Sequence, residues 1–224
     1  KSGNYSWYLL AHLDDDSLYS GYGNFKVFSG FSIPFFEDFE IYSPNEQLCS
    51  QSPFWRIYGE DPVPSKDAFV ISSRAFESDQ SIKVSSSTDL VFPISEYLNG
   101  YCETNFKIMV DNNRQGSVLT SLSDGSIMYF YFYSAGICEV YHDQTRIKFF
   151  TYNIRTWMDM EIRSDANTGL KWLLNNSLIH SIDTPLAIES IRFNSIDGPG
   201  YYESAPTVVY LDNFAINKGT LLSV

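Results

Sequence analysis

The sequence predicts an all-β protein, a sandwich of two antiparallel sheets, on three observations. The first is the run Ser126-Ile127-Met128-Tyr129-Phe130-Tyr131-Phe132-Tyr133 behind Asp124-Gly125, a hairpin signal because both turn residues must tolerate positive φ and Gly does so without steric penalty. The second is an aromatic share of 17%, with 16 Tyr and 17 Phe, which suits strands whose pleated faces pack rings. The third is spacing: strand-like runs recur about every 8 to 12 residues, with almost no helical periodicity between them.

Residues 1–30 read as an N-terminal arm. Trp7, Leu10 and Leu13 show helical spacing, so at most a turn or two of helix fits in Ser6 to Asp15. Asp14-Asp15-Asp16 and the turn-rich Tyr19-Ser20-Gly21-Tyr22-Gly23-Asn24 then lead to strand territory at Phe25. Residues 31–224 read as one sandwich domain, since no Pro/Gly/Ser linker or shift of composition interrupts them. Strands along the chain are expected at Phe25 to Phe31, Ala68 to Ser72, Ile82 to Ser85, Leu90 to Ile94, Asn105 to Val110, Val118 to Leu122 and Ile127 to Tyr133. They continue at Ile137 to Tyr141, Ile147 to Tyr152, Trp157 to Arg163, Lys171 to Leu174, Ile188 to Asn194 and Thr207 to Ile216. Alternation tells which side each strand buries. Met158, Met160 and Ile162 form one face of Trp157 to Arg163, and Phe106, Ile108 and Val110 one face of Asn105 to Val110. Val208-Val209-Tyr210-Leu211 is apolar on both faces, the mark of a strand covered from both sides.

A net charge of −12, with only 15 Lys and Arg spread along the chain, argues against nucleic acid and anionic membrane surfaces. No stretch approaches the roughly 18 apolar residues of a spanning helix, so no membrane insertion is expected. Lys1, without a signal-like apolar region behind it, is compatible with a position after a processing site. Three cysteines read most simply as one bridge, Cys49 to Cys102 from two polar loop-like stretches, and a buried thiol at Cys138 in a strand; three unbridged thiols are the alternative. The sequons Asn4-Tyr5-Ser6 and Asn175-Asn176-Ser177, the second at a hairpin tip, support a glycoprotein in an extracellular or cell-surface setting.

Phe36-Glu37-Asp38-Phe39-Glu40, Phe54-Trp55-Arg56-Ile57-Tyr58-Gly59, Ala68 to Ser73 and Ser81-Ile82-Lys83-Val84 are similar to the opening of concanavalin A-like (laminin G-like) jelly rolls. Trp157 to Ile162, Gly169 to Asn175 and Val209 to Ile216 resemble that superfamily's later strands, so the resemblance covers roughly Pro34 to Asn217. It implies a concanavalin A-like jelly roll and, by the family's early Phe-Glu and late Asp before an apolar strand end, a structural Ca²⁺ whose ligands carry over to Glu40 and Asp212. The superfamily spans lectins, hydrolases, lyases and structural modules, so it does not fix an activity.

The candidate sites are few. Asp159 and Glu161 on one strand face place carboxyls about 6 to 7 Å apart, a glycosidase-like spacing with Trp157 beside them to stack on a sugar, yet Arg163 stands where hydrolase relatives carry a third acid. A solvated strand face is the preferred reading, and no catalytic residue is assigned. Asp14-Asp15-Asp16 lacks the spaced Gly and distal Glu of a Ca²⁺ loop, and Asp165-Ala166-Asn167-Thr168-Gly169 reads as a hairpin turn. His12, His142 and His180 show no metal-ligand spacing, and no Gly-x-Ser-x-Gly elbow or phosphate loop occurs. Tyr129, Tyr131 and Tyr133 share one strand face, where they either meet a glycan or protein or lie under the second sheet. The sequence therefore favours an extracellular, non-catalytic structural or adhesive protein. Its arm would make it a subunit of a surface assembly or filament through self-association or contact with other extracellular proteins. The alternatives are a carbohydrate-binding module or lectin and, third, a glycan-degrading enzyme.

Overall fold

The computed structural model describes residues 3–13, 16–27, 33–59, 64–85, 88–94, 101–112, 114–165, 167–194 and 208–218, with the backbone alone up to residue 27. The chain divides into two compact units, Lys1–Phe31 and Ser32–Val224. The first is an antiparallel hairpin of β1 (Gly3–Leu13) and β2 (Asp16–Val27), with Gly3 opposite Val27, Leu13 opposite Asp16 and a register shift between Tyr8 and Leu10. The turn of helix expected from Ser6 is not formed. Three residues at helical spacing carry less weight than the strand preference of Tyr5, Trp7 and Tyr8 once a second strand lies alongside. The expected strand at Phe25 is the end of β2; residues 28–31 lie outside the described residues, as do Asp14 and Asp15.

The second unit is all-β, an open sandwich of two antiparallel sheets as a jelly roll requires. In chain order it runs through β3 (Phe35–Glu37), a single helical turn α1 (Leu48–Gln51), β4 (Arg56–Ile57), β5 (Phe69–Ile71), β6 (Ser81–Ser85), β7 (Asp89–Pro93) and β8 (Tyr101–Val110). There follow β9 (Gly116–Leu122), β10 (Ile127–Tyr133), β11 (Ile137–His142), β12 (Thr145–Thr151) and β13 (Met158–Asp165). The last are β14 (Gly169–Leu174), β15 (Ser177–Ile182), β16 (Ile188–Asn194) and β17 (Val208–Lys218). Among the described residues the first sheet has the order β12-β11-β10-β9-β16-β7-β4 and the second β15-β14-β13-β8-β17-β6-β5, with β3 beside β17.

Two turns show how the chain reverses. At Asp124-Gly125 only Gly125 takes positive φ, +85°, while the Asp124 carboxylate accepts hydrogen bonds from the Ser126 N–H at 2.9 Å and its hydroxyl at 2.6 Å. At Asn175-Asn176 both residues have positive φ, 48° and 63°, the two-residue turn that matches strand twist. The core lies where the sheets face each other. Phe106 meets Phe193 at 5.2 Å, Phe214 meets Phe92 at 4.6 Å, and Trp55 packs on both Phe92 and Phe214 at about 5 Å. Each such ring, fully buried, contributes about 1.5–3 kcal/mol over an exposed one. As alternation predicts, Phe106, Ile108, Val110, Met158, Met160 and Ile162 all point into this core.

Candidate functional site

Strand pairing in the first sheet lines up residues that are far apart in the chain. One cross-strand row runs through all seven strands: Arg56, Val91, Arg192, Leu119, Tyr129, Tyr141, Arg146. The next row on the same face holds Asp89, Asn194, Ser117, Tyr131, Glu139 and Phe149. Between them lies the row of Phe193, Val118, Phe130 and Val140, which faces the core because Phe193 contacts Phe106 of the other sheet. The pleat therefore turns the tyrosine and arginine rows outward, away from the second sheet.

On this outer face the rings and charges form one cluster. Tyr129 and Tyr131 stack at 5.6 Å, and Tyr131 meets Tyr141 edge-on at 5.6 Å. Arg192 lies 3.8 Å over the Tyr58 ring and is gripped in the plane of its guanidinium by Asp89, with Nη2 to Oδ2 at 2.6 Å and Nε to Oδ1 as the second bond. Glu139 is a hub: it accepts from Arg146 at 2.6 Å, from the Tyr141 hydroxyl at 3.0 Å and from the Tyr133 hydroxyl at 3.2 Å. Burial, with Asp143 nearby, pushes the Tyr129 phenol above its usual value, and burial with Glu139 alongside does the same to Tyr133, so both rings are neutral.

The expected ligand-binding set of Trp157, Tyr129, Tyr131 and Tyr133 is divided by this geometry. Tyr131 at 2% exposure and Tyr133 at 7% are buried although they face away from the second sheet, because neighbouring rings and Glu139 cover them. They support the face, whereas Tyr129 and Tyr141 are half-exposed and Tyr58 is exposed. Trp157 lies immediately before β13 of the other sheet, edge-on to Phe76 at 6.0 Å.

That second cluster gathers the remaining candidates. Asp212, Lys107 and Asp159 form a row on the outer face of the second sheet, with Lys107 in an ion pair with Asp159 and its ammonium 4.2 Å over the Phe76 ring. Alternation from Leu211 turns Asp212 to the outer face, and the register shift after it, where Asn213 has φ of 47°, returns Phe214 to the core. The segment from Phe76 to Gln80 folds over this row. Phe76 donates its N–H to Asp212 Oδ2 at 2.8 Å, and Asp79 and Gln80 donate theirs to Glu40 Oε1 at 3.0 and 2.7 Å. Glu40 and Asp212 thus meet across the chain, and burial first, with the Glu40 charge adding to it, raises the Asp212 carboxyl above its ordinary range. Gln80 Oε1 is buried there without a hydrogen-bond partner, an acceptor that a hard cation would satisfy. Among the described residues no group of three or more His, Cys, Asp or Glu converges as a metal site, so carboxylate ligands alone do not complete one.

On the same face Lys107 holds Asp159 and Arg163 holds Glu161, an ion-paired strand face as the preferred reading of these residues has it. The disulfide expectation is corrected. No Cys49–Cys102 bridge forms, since the cysteines are not in disulfides. Leu48, beside Cys49, bonds to Ala68, whose level on the sheet is that of Val110, while Cys102 lies eight residues further along β8 and three ladders across. At about 3.3 Å per residue that is over 20 Å, against a limit near 7 Å for bridged Cα atoms. Cys49 instead engages Asp67, its N–H donating at 3.0 Å and its side chain also bonded there. Burial pushes the Cys102 thiol up to about 11 and Cys138 well above its usual value, which leaves both unreactive. Asn175 is exposed at a hairpin tip, as its sequon reading requires; its Oδ1 accepts from the Asp159 N–H at 2.9 Å. The side chain of Asn4 lies outside the described residues.

The sequence reading did not single out Tyr58, Tyr141, Arg56, Arg146, Arg192, Asp89 or Glu139. Alternation places Tyr141 and Glu139 on one face of β11, but that face joins Tyr129 only through the β10–β11 register. Arg192 and Asp89 are 103 positions apart, and nothing local announces their pairing.

No family model and no curated protein matches this chain. Among solved structures it is similar to the cellulose induced protein Cip1, with a TM-score of 0.56 and 13% identity over 81% of this chain and 96% of that one. It also matches the receptor binding domain of botulinum neurotoxin D (TM-score 0.44, 12% identity, 73% of this chain and 48% of that one). A third match is the serotype D ligand binding domain in complex with N-acetylneuraminic acid, at TM-score 0.43 and 13% identity over 73% of this chain and 46% of that one. The chain spans about half the length of the toxin domains. The likeness to Cip1 establishes the sandwich fold alone, and the weaker toxin likenesses add no argument. Among the described residues no helix is long and apolar enough to cross a membrane.

Proposed function

We propose that the protein is a secreted, concanavalin A-like carbohydrate-binding module that holds a glycan on the outer face of its first sheet. The carrying observation is the row Arg56-Val91-Arg192-Leu119-Tyr129-Tyr141-Arg146, in which two adjacent half-exposed rings, Tyr129 and Tyr141, lie between Arg192 on one side and Arg146 on the other, with Val91 and Leu119 buried in the row. Tyr129 and Tyr141 offer flat apolar surface to a sugar ring, and the Arg192–Asp89 and Arg146–Glu139 pairs offer donors and acceptors beside it. No enzymatic step is assigned: Asp89, Glu139, Asp159 and Glu161 are each engaged by a cationic side chain and Glu40 by backbone N–H groups. Glycan-array screening followed by calorimetry tests this reading. Tyr129→Ala and Tyr141→Ala should each weaken binding about tenfold, or 1.4 kcal/mol, with the circular dichroism of the sheets unchanged. An intact affinity in both variants removes the face from consideration.

A structural Ca²⁺ belongs to the same reading. Glu40, Asp212 and the Gln80 side-chain oxygen would hold it and fasten residues 76–80 to the sheet. Chelator should then lower the melting temperature, since a cation bound by the folded state alone at 100 times its Kd adds about 2.7 kcal/mol. A melting temperature indifferent to both chelator and added Ca²⁺ would reject it.

The N-terminal hairpin favours a second reading, a structural or adhesive role through self-association. A two-stranded hairpin is marginal by itself in water and gains stability when a further surface covers it.

A further inference from the structure

We infer that the glycan held on the tyrosine face is a neutral polysaccharide lying across the strands, and not an acidic one; this rests on the carbohydrate-binding reading above. Direction comes from the register. The tyrosine and arginine row crosses the strands, and from Arg192 to Arg146 it spans four ladders, about 19 Å at about 4.8 Å each, room for a short internal stretch of sugar units.

Class comes from the charges. Two of the three guanidinium groups of the row, the ones that flank Tyr129 and Tyr141, are already neutralised from the adjacent row. Arg192 is held by Asp89 through two bonds, and Arg146 is held by Glu139 at 2.6 Å. The two acids are the less exposed partners, at 15% and 10% against 21% and 54% for the arginines. A sugar carboxylate or sulfate bound to either arginine would displace a half-buried carboxylate and leave it beside a second negative charge, which is costly. A neutral sugar meets no such conflict. Arg192 keeps N–H donors beyond the two that Asp89 accepts, and Asp89 keeps lone pairs, so adjacent hydroxyls can accept from one and donate to the other. Tyr58 beneath Arg192 keeps the guanidinium in the plane that this bridging needs. The net charge of −12 acts in the same direction by repelling polyanions at long range.

The experiment is calorimetry of the full chain with soluble neutral polymers (a β-glucan, a xylan, a mannan) and acidic ones (polygalacturonate, hyaluronate, a sulfated galactan), at about 50 and about 500 mM NaCl. A neutral polymer should bind with an affinity that changes less than about twofold between the two salts, since no ionic contact is made. Asp89→Asn should weaken it about fivefold and give Arg192 an affinity for the acidic polymers that the parent lacks, with Tyr129→Ala as the control that binding occurs on this face. Binding of acidic polymers alone, lost in Tyr129→Ala and weakened by salt, would overturn the neutral class while keeping the face. Failure of every polymer to bind would overturn both.

Discussion

Gly125 and Gly169 show how differently two glycines at positive φ constrain the chain. Gly125 has φ of +85° and open space where a Cβ would stand, so Gly125→Ala meets only the backbone penalty, about 1–2 kcal/mol. At Gly169, with φ of +103°, a Cβ would come within 1.9 Å of the Ile182 carbonyl oxygen, and that oxygen belongs to β15 and cannot yield alone. Gly169→Ala should therefore cost clearly more than Gly125→Ala and loosen β15. Urea unfolding of the two variants checks the order; equal midpoints would mean that the β14–β15 edge deforms freely. Legibility at this scale was uneven. The Asp-Gly turn was readable because a turn is local chemistry, although Asp124 acts through its carboxylate and not by positive φ. The roles of Asp89 and Glu139 were not readable, because each is defined by an arginine on another strand.

At the scale of elements, alternation made most of the sandwich readable, and Ile127–Tyr133 and Ile188–Asn194 have the bounds their residues predict. β15 was missed because it is an edge strand that leaves Leu178 52% exposed, so burial imposes no two-residue pattern on it. This edge is where the sheets come together: Lys148 on β12 donates to the carbonyls of Leu178 and Ile179 on β15, and His142 on β11 packs against His180 at 6.2 Å. Burial, then His142, and also Lys148 hold His180 below its usual 6.5, against the opposing pull of Asp183, while Asp124 lies toward His142. A histidine with a lowered folded pKa stabilises the fold while it is neutral, and that contribution fades as pH falls below 6.5, where the unfolded chain takes up the proton first. Glu37, Asp67 and Asp212 work in the opposite sense, since burial raises their carboxyls and the folded state then gains as they protonate. The histidine effect is isolated by difference. His180→Gln should show a smaller loss of urea midpoint than the parent between about pH 7.5 and pH 5.5, and identical losses would assign the pH dependence elsewhere.

For the whole molecule, the hairpin Gly3–Val27 and the sandwich from Ser32 pose separate problems of burial. The sandwich has its own core and the mark of a unit that folds alone, a continuous set of rings joining Trp55, Phe92, Phe106, Phe193 and Phe214. A two-stranded ribbon has no such core, and its sequence, with Tyr5, Trp7, Tyr8, Leu9 and Leu10 in one strand, is too apolar to gain from staying in water. If a second molecule supplies the cover, the hairpin lends its strand edges to the ladder of a neighbouring sheet, where β12 is an edge strand with Phe149 67% exposed. A contact of that kind joins two different surfaces, so it propagates head to tail and yields an open polymer unless the rotation closes a ring. Deleting residues 1–31 should then leave a folded, monomeric sandwich with unchanged affinity for glycan, while the full chain sediments as concentration-dependent higher species. Sedimentation of the full chain as a monomer at high concentration would refute the assembly role, and loss of the fold on deletion would show that the hairpin completes its own sandwich.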